Sequence, residues 1–469
     1  MILLIQAAPL ALLLALLLSG RAGPVPAVLV ALALAVPATL LSLPEATPAA
    51  SFLVTETLRG AFLASKPIGV VVGGLLFHAA VSRPSEAAPR APEARRIFAA
   101  TLLAGTFLES VTGFAVGAVF ALSALRGMGL GGAPAGALAL LALTLVPWGG
   151  LGPGTALGAA LIGLPAQEVA AATAGPNAVW FVLLAPVFWR LCTAAGVVVP
   201  AREKLVQLGI LTGMAAGLVL AHAVVPFEVV GLLVSGVPLL AVLWWLDPPA
   251  DAAAWRAALR RLAPYLGLTA ALLGARSLPG APSWTPFADL PGFALTHVAV
   301  VLWVVAGLLL ARRADGAAGA MAALSRARKP AIAMLLYVIL ARWMAGSGAS
   351  AALAQGAAEG LGTAAPFAIP ALGLISGLVT GSNVGSNAAL MTVQAALGVA
   401  AGLPTLLAPA LHNFAGSAGA GMSFAVTAMI CGLLADGTRP AQLWRLLAPS
   451  LAAVLAVGWA WVALFSGWR

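Results

Sequence analysis

The chain is a succession of long apolar runs separated by short polar interruptions, and two of those interruptions do not read as ordinary loops. Phe-Leu-Glu-Ser-Val-Thr-Gly-Phe occupies 107–114, and Val-Thr-Gly-Ser-Asn-Val-Gly-Ser-Asn occupies 379–387. Each sits between apolar stretches too short to cross a bilayer separately, since a spanning helix needs about 20 residues. Hydrocarbon offers the backbone no hydrogen-bond partners, so non-helical chain at that depth survives only inside protein or against a water-filled cavity. Two such breaks in corresponding halves point to the cargo site of a secondary transporter.

The remaining runs predict an all-α polytopic membrane protein with about twelve spans plus two re-entrant hairpins. The spans fall near 2–19, 25–43, 58–81, 133–164 (interrupted), 176–199, 204–225, 228–246, 262–278, 293–311, 330–346, 403–435 (interrupted) and 445–465. The hairpins are 97–125 and 360–398. The first run has no basic segment ahead of it and a second run follows at once, so it reads as a retained span.

Basic residues support this count. With the N-terminus outside, the inner loops hold Arg21; Arg83, Arg90, Arg95 and Arg96; Arg126; Arg202 and Lys204; and Arg256, Arg260 and Arg261. They also hold Arg312, Arg313, Arg326, Arg328 and Lys329, then Arg439 and Arg445. The outer loops hold Glu168, Glu228, Asp289 and Glu359. Positive charge inside is the rule for bacterial spans, and a full crossing at either hairpin would spoil the agreement. Both termini are then periplasmic.

The same topology contains an inverted repeat. Residues 1–57 are N-terminal helices, 58–200 the first repeat, 201–329 scaffold helices and 330–469 the second repeat. In each repeat a span, a hairpin, an interrupted span and a closing span follow in that order, with opposite sidedness, as in alternating-access carriers. The scaffold helices would also serve a homodimer. The links 82–96 and 312–329 read as cytoplasmic loops.

Composition narrows the class further. Hydrophobic residues make up 62% and charged residues 8% of the chain, against roughly 25% charged in a soluble domain. The net charge of +10 is spread through short loops, so it reports membrane orientation and not a nucleic-acid partner. The two cysteines, Cys192 and Cys431, have neither metal spacing nor a disulfide framework, and no cofactor is implied.

Around the two breaks the residues resemble a known family. Thr-Phe-Leu-Glu-Ser-Val-Thr-Gly-Phe over 106–114 is similar to the first signature of the lactate permeases. The stretch 378–388, followed by Gln394, is similar to the second. Arg59-Gly-Ala-Phe before Lys66-Pro-Ile, and Leu411-His-Asn-Phe-Ala-Gly-Ser before Met422-Ser423, match it more weakly. The resemblance implies proton-coupled uptake of lactate and related 2-hydroxy monocarboxylates such as glycolate. The chain departs from the family at Asn383, usually an acid, and at Ala420 and Gly421, where a basic residue is usual. Ala115-Val-Gly-Ala replaces a Gly-Ala-Pro-Val type sequence, and 143–152 lacks the family's asparagine.

The candidate site follows from these segments. Glu109 is the only carboxylate expected at membrane depth, where an acid is a functional group by default, and it is assigned the proton. Thr112, Gly113, Thr380, Gly381, Ser382, Asn383, Ser386 and Asn387 offer hydroxyls, amides and exposed backbone N–H groups. A helix start at a hairpin tip favours an anion, and the alternative role of these small residues is close helix packing. His412 and Asn413 are placed in an unwound stretch over 411–421, with Asn413 at the cargo. His412 is a second proton group by its chemistry, or else a hydrogen-bonded core histidine. Arg342, twelve residues beyond Pro330, reaches about 18 Å into the membrane at 1.5 Å per residue and could grip a carboxylate at two points; Arg276 has the same spacing from Pro264. The competing readings keep the fold with another organic anion, a dicarboxylate or sulfonate, driven by sodium, or make the chain a membrane enzyme. The second would need a His, Asp, Glu or Cys cluster at depth, which the sequence lacks.

Overall fold

The computed structural model describes residues 2–82, 91–278 and 280–466; Arg83, Arg90 and Arg469 lie outside the described residues. Those residues are helical almost throughout, apart from a two-residue antiparallel pair between Ser283–Trp284 and Phe293–Ala294. The apolar runs form helices because only internal hydrogen bonding satisfies the backbone away from water. Among the described residues, nine segments are long and apolar enough to cross a membrane. The chain is therefore a multi-pass, all-α membrane protein. Of the other expected spans, Ile2–Leu18 and Val298–Leu310 are short, and the 133–164 region is divided between Gly132–Leu140 and Pro153–Leu161.

Both expected breaks are present. Thr106–Thr112 ends at Gly113, and Val116–Gly127 begins three residues later. Gly113, Phe114 and Ala115 all have positive φ, at 70°, 59° and 59°. The second arm pair is Ala365–Thr380 and Asn383–Ala400, joined through Gly381 at φ 69° with Ser382 capping the second arm. Side chains other than glycine resist this left-handed region, so a glycine at each turn lets the chain reverse within two or three residues.

Three expectations change. The predicted loop over 312–329 is helical from Gly316 onward, within Gly316–Gly346; its alanine, leucine, arginine and lysine content favours helix whatever its charge. A helix not anticipated, Ala349–Leu361, precedes the second hairpin. The predicted unwinding over 411–421 is absent, because Leu407–Gly421 is a continuous helix and the chain breaks at Met422–Ser423. The small residues there serve close packing instead: a Cβ on Gly377 would lie 1.8 Å from the Gly416 carbonyl oxygen, an approach that only small residues allow. In the first half the corresponding break is real, running from the end of Gly132–Leu140 through the short helix Val146–Leu151 to Pro153.

Candidate functional site

The two hairpin tips meet at one cavity of about 870 Å³. Glu109, Gly113 and Ala115 face it from the first tip, and Thr380, Ser382 and Asn383 from the second. Gly149, Gly150 and Gly154 of the broken segment also line it, as do Gly23, Pro24, Arg328 and Lys329. Most of the remaining wall is apolar.

Glu109 is 6% exposed, and its carboxylate is held by its own hairpin. Oε1 accepts from the Ala115 N–H and Oε2 from the Gly117 N–H, each at 3.1 Å. These amides open the second arm, where unpaired N–H groups and the helix dipole favour negative charge. Glu109 is not the only buried carboxylate: Glu56, Glu203 and Glu228 are buried as well. Those three pair with Arg342 and Arg59, Arg95 and Arg276 respectively. Only Glu109, among the four, has no cation partner in the described residues.

The second tip rests on a polar hub at Asn413. Its Oδ1 accepts from Asn383 Nδ2 at 3.1 Å and Asn387 Nδ2 at 2.9 Å. Its Nδ2 donates to Thr155 Oγ1 at 3.0 Å and Thr173 Oγ1 at 3.1 Å. One amide thus joins the second hairpin, the helix Leu407–Gly421, the segment Pro153–Leu161 and the helix Ala166–Ala194. Asn387 also donates to the Gly154 carbonyl at 2.9 Å. The Oδ1 atoms of Asn383 and Asn387 are buried with no partner, and such acceptors in a packed interior call for an explanation.

The predicted residues therefore divide. Glu109, Gly113, Thr380, Gly381, Ser382 and Asn383 come together on the cavity. Ser386, Asn387, His412 and Asn413 lie fully buried behind the second tip. His412 Nε2 is 3.2 Å from the Ser386 carbonyl oxygen, which can only accept, so this nitrogen carries the proton. Thr112 turns onto its own helix, donating to the Leu108 carbonyl at 2.6 Å. Arg342 does not face the cavity, because Glu56 takes its guanidinium at 2.6–2.7 Å.

Thr155 and Thr173 were not anticipated, since neither stands in a recognisable signature. Asn177 was missed for a related reason. It sits on Ala166–Ala194 but donates to the Thr144 carbonyl at 3.5 Å, entering the first break from a neighbouring helix. Among the described residues, no group of three or more His, Cys, Asp or Glu side chains could hold a metal ion.

Comparison with known proteins fits this picture. The family model described as L-lactate permease matches residues 289–465, which include the second hairpin and the Asn413 helix. Over that stretch the chain is similar to the lactate permease family. A permease moves its cargo unaltered, so this lactate permease relative is a membrane transporter and not an enzyme. The first signature, at 106–114, lies outside the matched residues. No curated protein matches the chain. Among solved structures, the YdaH transporter of Alcanivorax borkumensis is similar at 16% identity and a TM-score of 0.49, over 95% of this chain and 98% of that one. MtrF of Neisseria gonorrhoeae, described with a class of antimetabolite efflux pumps, is similar at 13% identity and a TM-score of 0.40, over 95% of each chain. Likeness at these levels bears on neither cargo nor coupling.

Proposed function

We propose that this transporter carries a small organic anion, a 2-hydroxy monocarboxylate such as lactate or glycolate, in symport with protons across a bacterial inner membrane. The observation that carries the reading is the meeting of two helix-break-helix hairpins at one cavity. One tip brings Glu109, a buried carboxylate without a cation partner, and the other brings hydroxyl and amide groups. Gly113, Thr380, Gly381, Ser382 and Asn383 hold the anion through N–H, hydroxyl and amide groups. Thr112, Ser386, Asn387 and Asn413 keep the tips in shape. Glu109 carries the proton, and His412 is its secondary partner.

Twelve spans with two re-entrant hairpins in an inverted repeat supply the alternating access, with both termini periplasmic and a homodimer as the assembly. The paired breaks in the two halves support this plan. In this orientation Arg328 and Lys329 lie on the inner side, so the cavity faces the cytoplasm.

The test is uptake of labelled L-lactate into proteoliposomes with and without an inward proton gradient. Gradient-driven uptake by the wild type, lost in Glu109→Gln, supports both cargo and coupling. A second reading has one specific support: a largely apolar cavity of about 870 Å³ admits anions bulkier than lactate. A dicarboxylate or sulfonate driven by sodium would then be taken up when lactate is not, and replacing sodium would abolish it.

A further inference from the structure

We infer that Tyr337 is a cargo-binding group of this cavity outside the hairpin tips, its phenolic hydroxyl donating to the carboxylate of the transported acid. This rests on the function proposed above and extends it to a residue outside both signatures.

Tyr337 is one of only two tyrosines in the chain. It lies on Gly316–Gly346, which packs against Ala49–Val81 and touches the second arm of the second hairpin. Tyr337 is among the residues that line the same cavity as Glu109 and Asn383. The residue is 2% exposed, and its hydroxyl has no hydrogen-bond partner. Buried tyrosine hydroxyls ordinarily find one. A lone buried donor on a cavity-lining residue is explained if the missing acceptor is the cargo.

The chemistry matches in two directions. Tyr337 supplies a donor, which a carboxylate oxygen accepts. Asn383 Oδ1, at the second hairpin tip and also unpartnered, supplies an acceptor, which the cargo's 2-hydroxyl satisfies. Arg342 lies five residues further along the same helix. At about 100° per residue, the two side chains point roughly 140° apart around the helix. Arg342 therefore reaches Glu56 while Tyr337 reaches the cavity.

The experiment compares wild type, Tyr337→Phe and Met334→Leu in proteoliposomes, using a panel of labelled small monocarboxylates that includes L-lactate. Met334 lines the same wall without a polar hydrogen, so its variant reports shape alone. For Tyr337→Phe, KM should rise roughly tenfold with Vmax largely retained, the worth of one charge-assisted hydrogen bond. KM for Met334→Leu should stay near the wild-type value. An unchanged KM in Tyr337→Phe overturns the inference while leaving the proposed function standing, and so does an equal rise in both variants. A wild type that takes up no acid of the panel overturns the proposed function and this inference together.

Discussion

Arg342 closes on Glu56 across 286 residues of sequence, with Nε at 2.7 Å and a terminal guanidinium nitrogen at 2.6 Å from the same carboxylate oxygen. The other oxygen of Glu56 takes Arg59 at 2.7 Å, and Arg59 extends to Asp289 at 3.3 Å. The two long helices Ala49–Val81 and Gly316–Gly346 are thus clamped by a charge cluster centred on the buried Glu56.

The clamp should be asymmetric under mutation. Glu56→Gln leaves Arg342 without a carboxylate and Arg59 with Asp289 alone, and should cost about 3–5 kcal/mol, the range for breaking a buried pair. Arg342→Met should cost less, because Arg59 still neutralises Glu56. Thermal unfolding in detergent measures both. Lactate KM should be unmoved in Arg342→Met; a tenfold rise would return Arg342 to the role of cargo anchor.

Glu109→Gln should fold, because its amide oxygen can still accept one of the two hairpin N–H groups. It should lose accumulation against a gradient while keeping exchange of internal for external lactate. Counterflow in proteoliposomes separates the two. Gradient-driven accumulation at the wild-type level in the variant would remove Glu109 from proton coupling.

Asn413 is the polar residue whose loss should do most damage. Asn413→Leu keeps the volume but strands donors on Asn383 and Asn387 and removes a partner from Thr155 and Thr173. Each stranded buried group costs about 1–3 kcal/mol. Asn413→Asp keeps both acceptor bonds and should be milder. A melting temperature ordered wild type, Asp, Leu is expected, and equal values for the two variants would refute the hub.

Arg328 and Lys329 also line the cavity. Neutralising both, as Arg328→Gln with Lys329→Gln, should raise KM for an anion taken from their side, with Vmax unchanged. Positive charge at a mouth raises the local concentration of anions and is screened by salt. The KM difference between wild type and double variant should therefore shrink as ionic strength rises. A difference independent of salt would argue against steering.

Much of the architecture is legible in the chain itself. The runs that become helices, the two breaks, and the residues Gly113, Gly381, Ser382 and Asn383 at the turns are all local features: hydropathy, left-handed glycine and a capping serine act within a few residues. Glu109 was legible for the same reason, an acid inside an apolar run. Which polar groups meet was not legible. Arg342 and Glu56, Asn413 and Thr155, and Asn177 and Thr144 are pairs brought together by helix packing, and burial forces each group to find a partner without encoding which one. The unwinding expected around His412 failed on the same ground. Glycine and alanine permit either a break or a close helix contact, and only the neighbouring helix at Gly377 decided between them. Sequence determined where the backbone stays helical and where it turns, because those choices are made by local sterics and by the absence of water. Tertiary structure decided the pairing of buried charges and amides, because that depends on faces of helices distant in the chain.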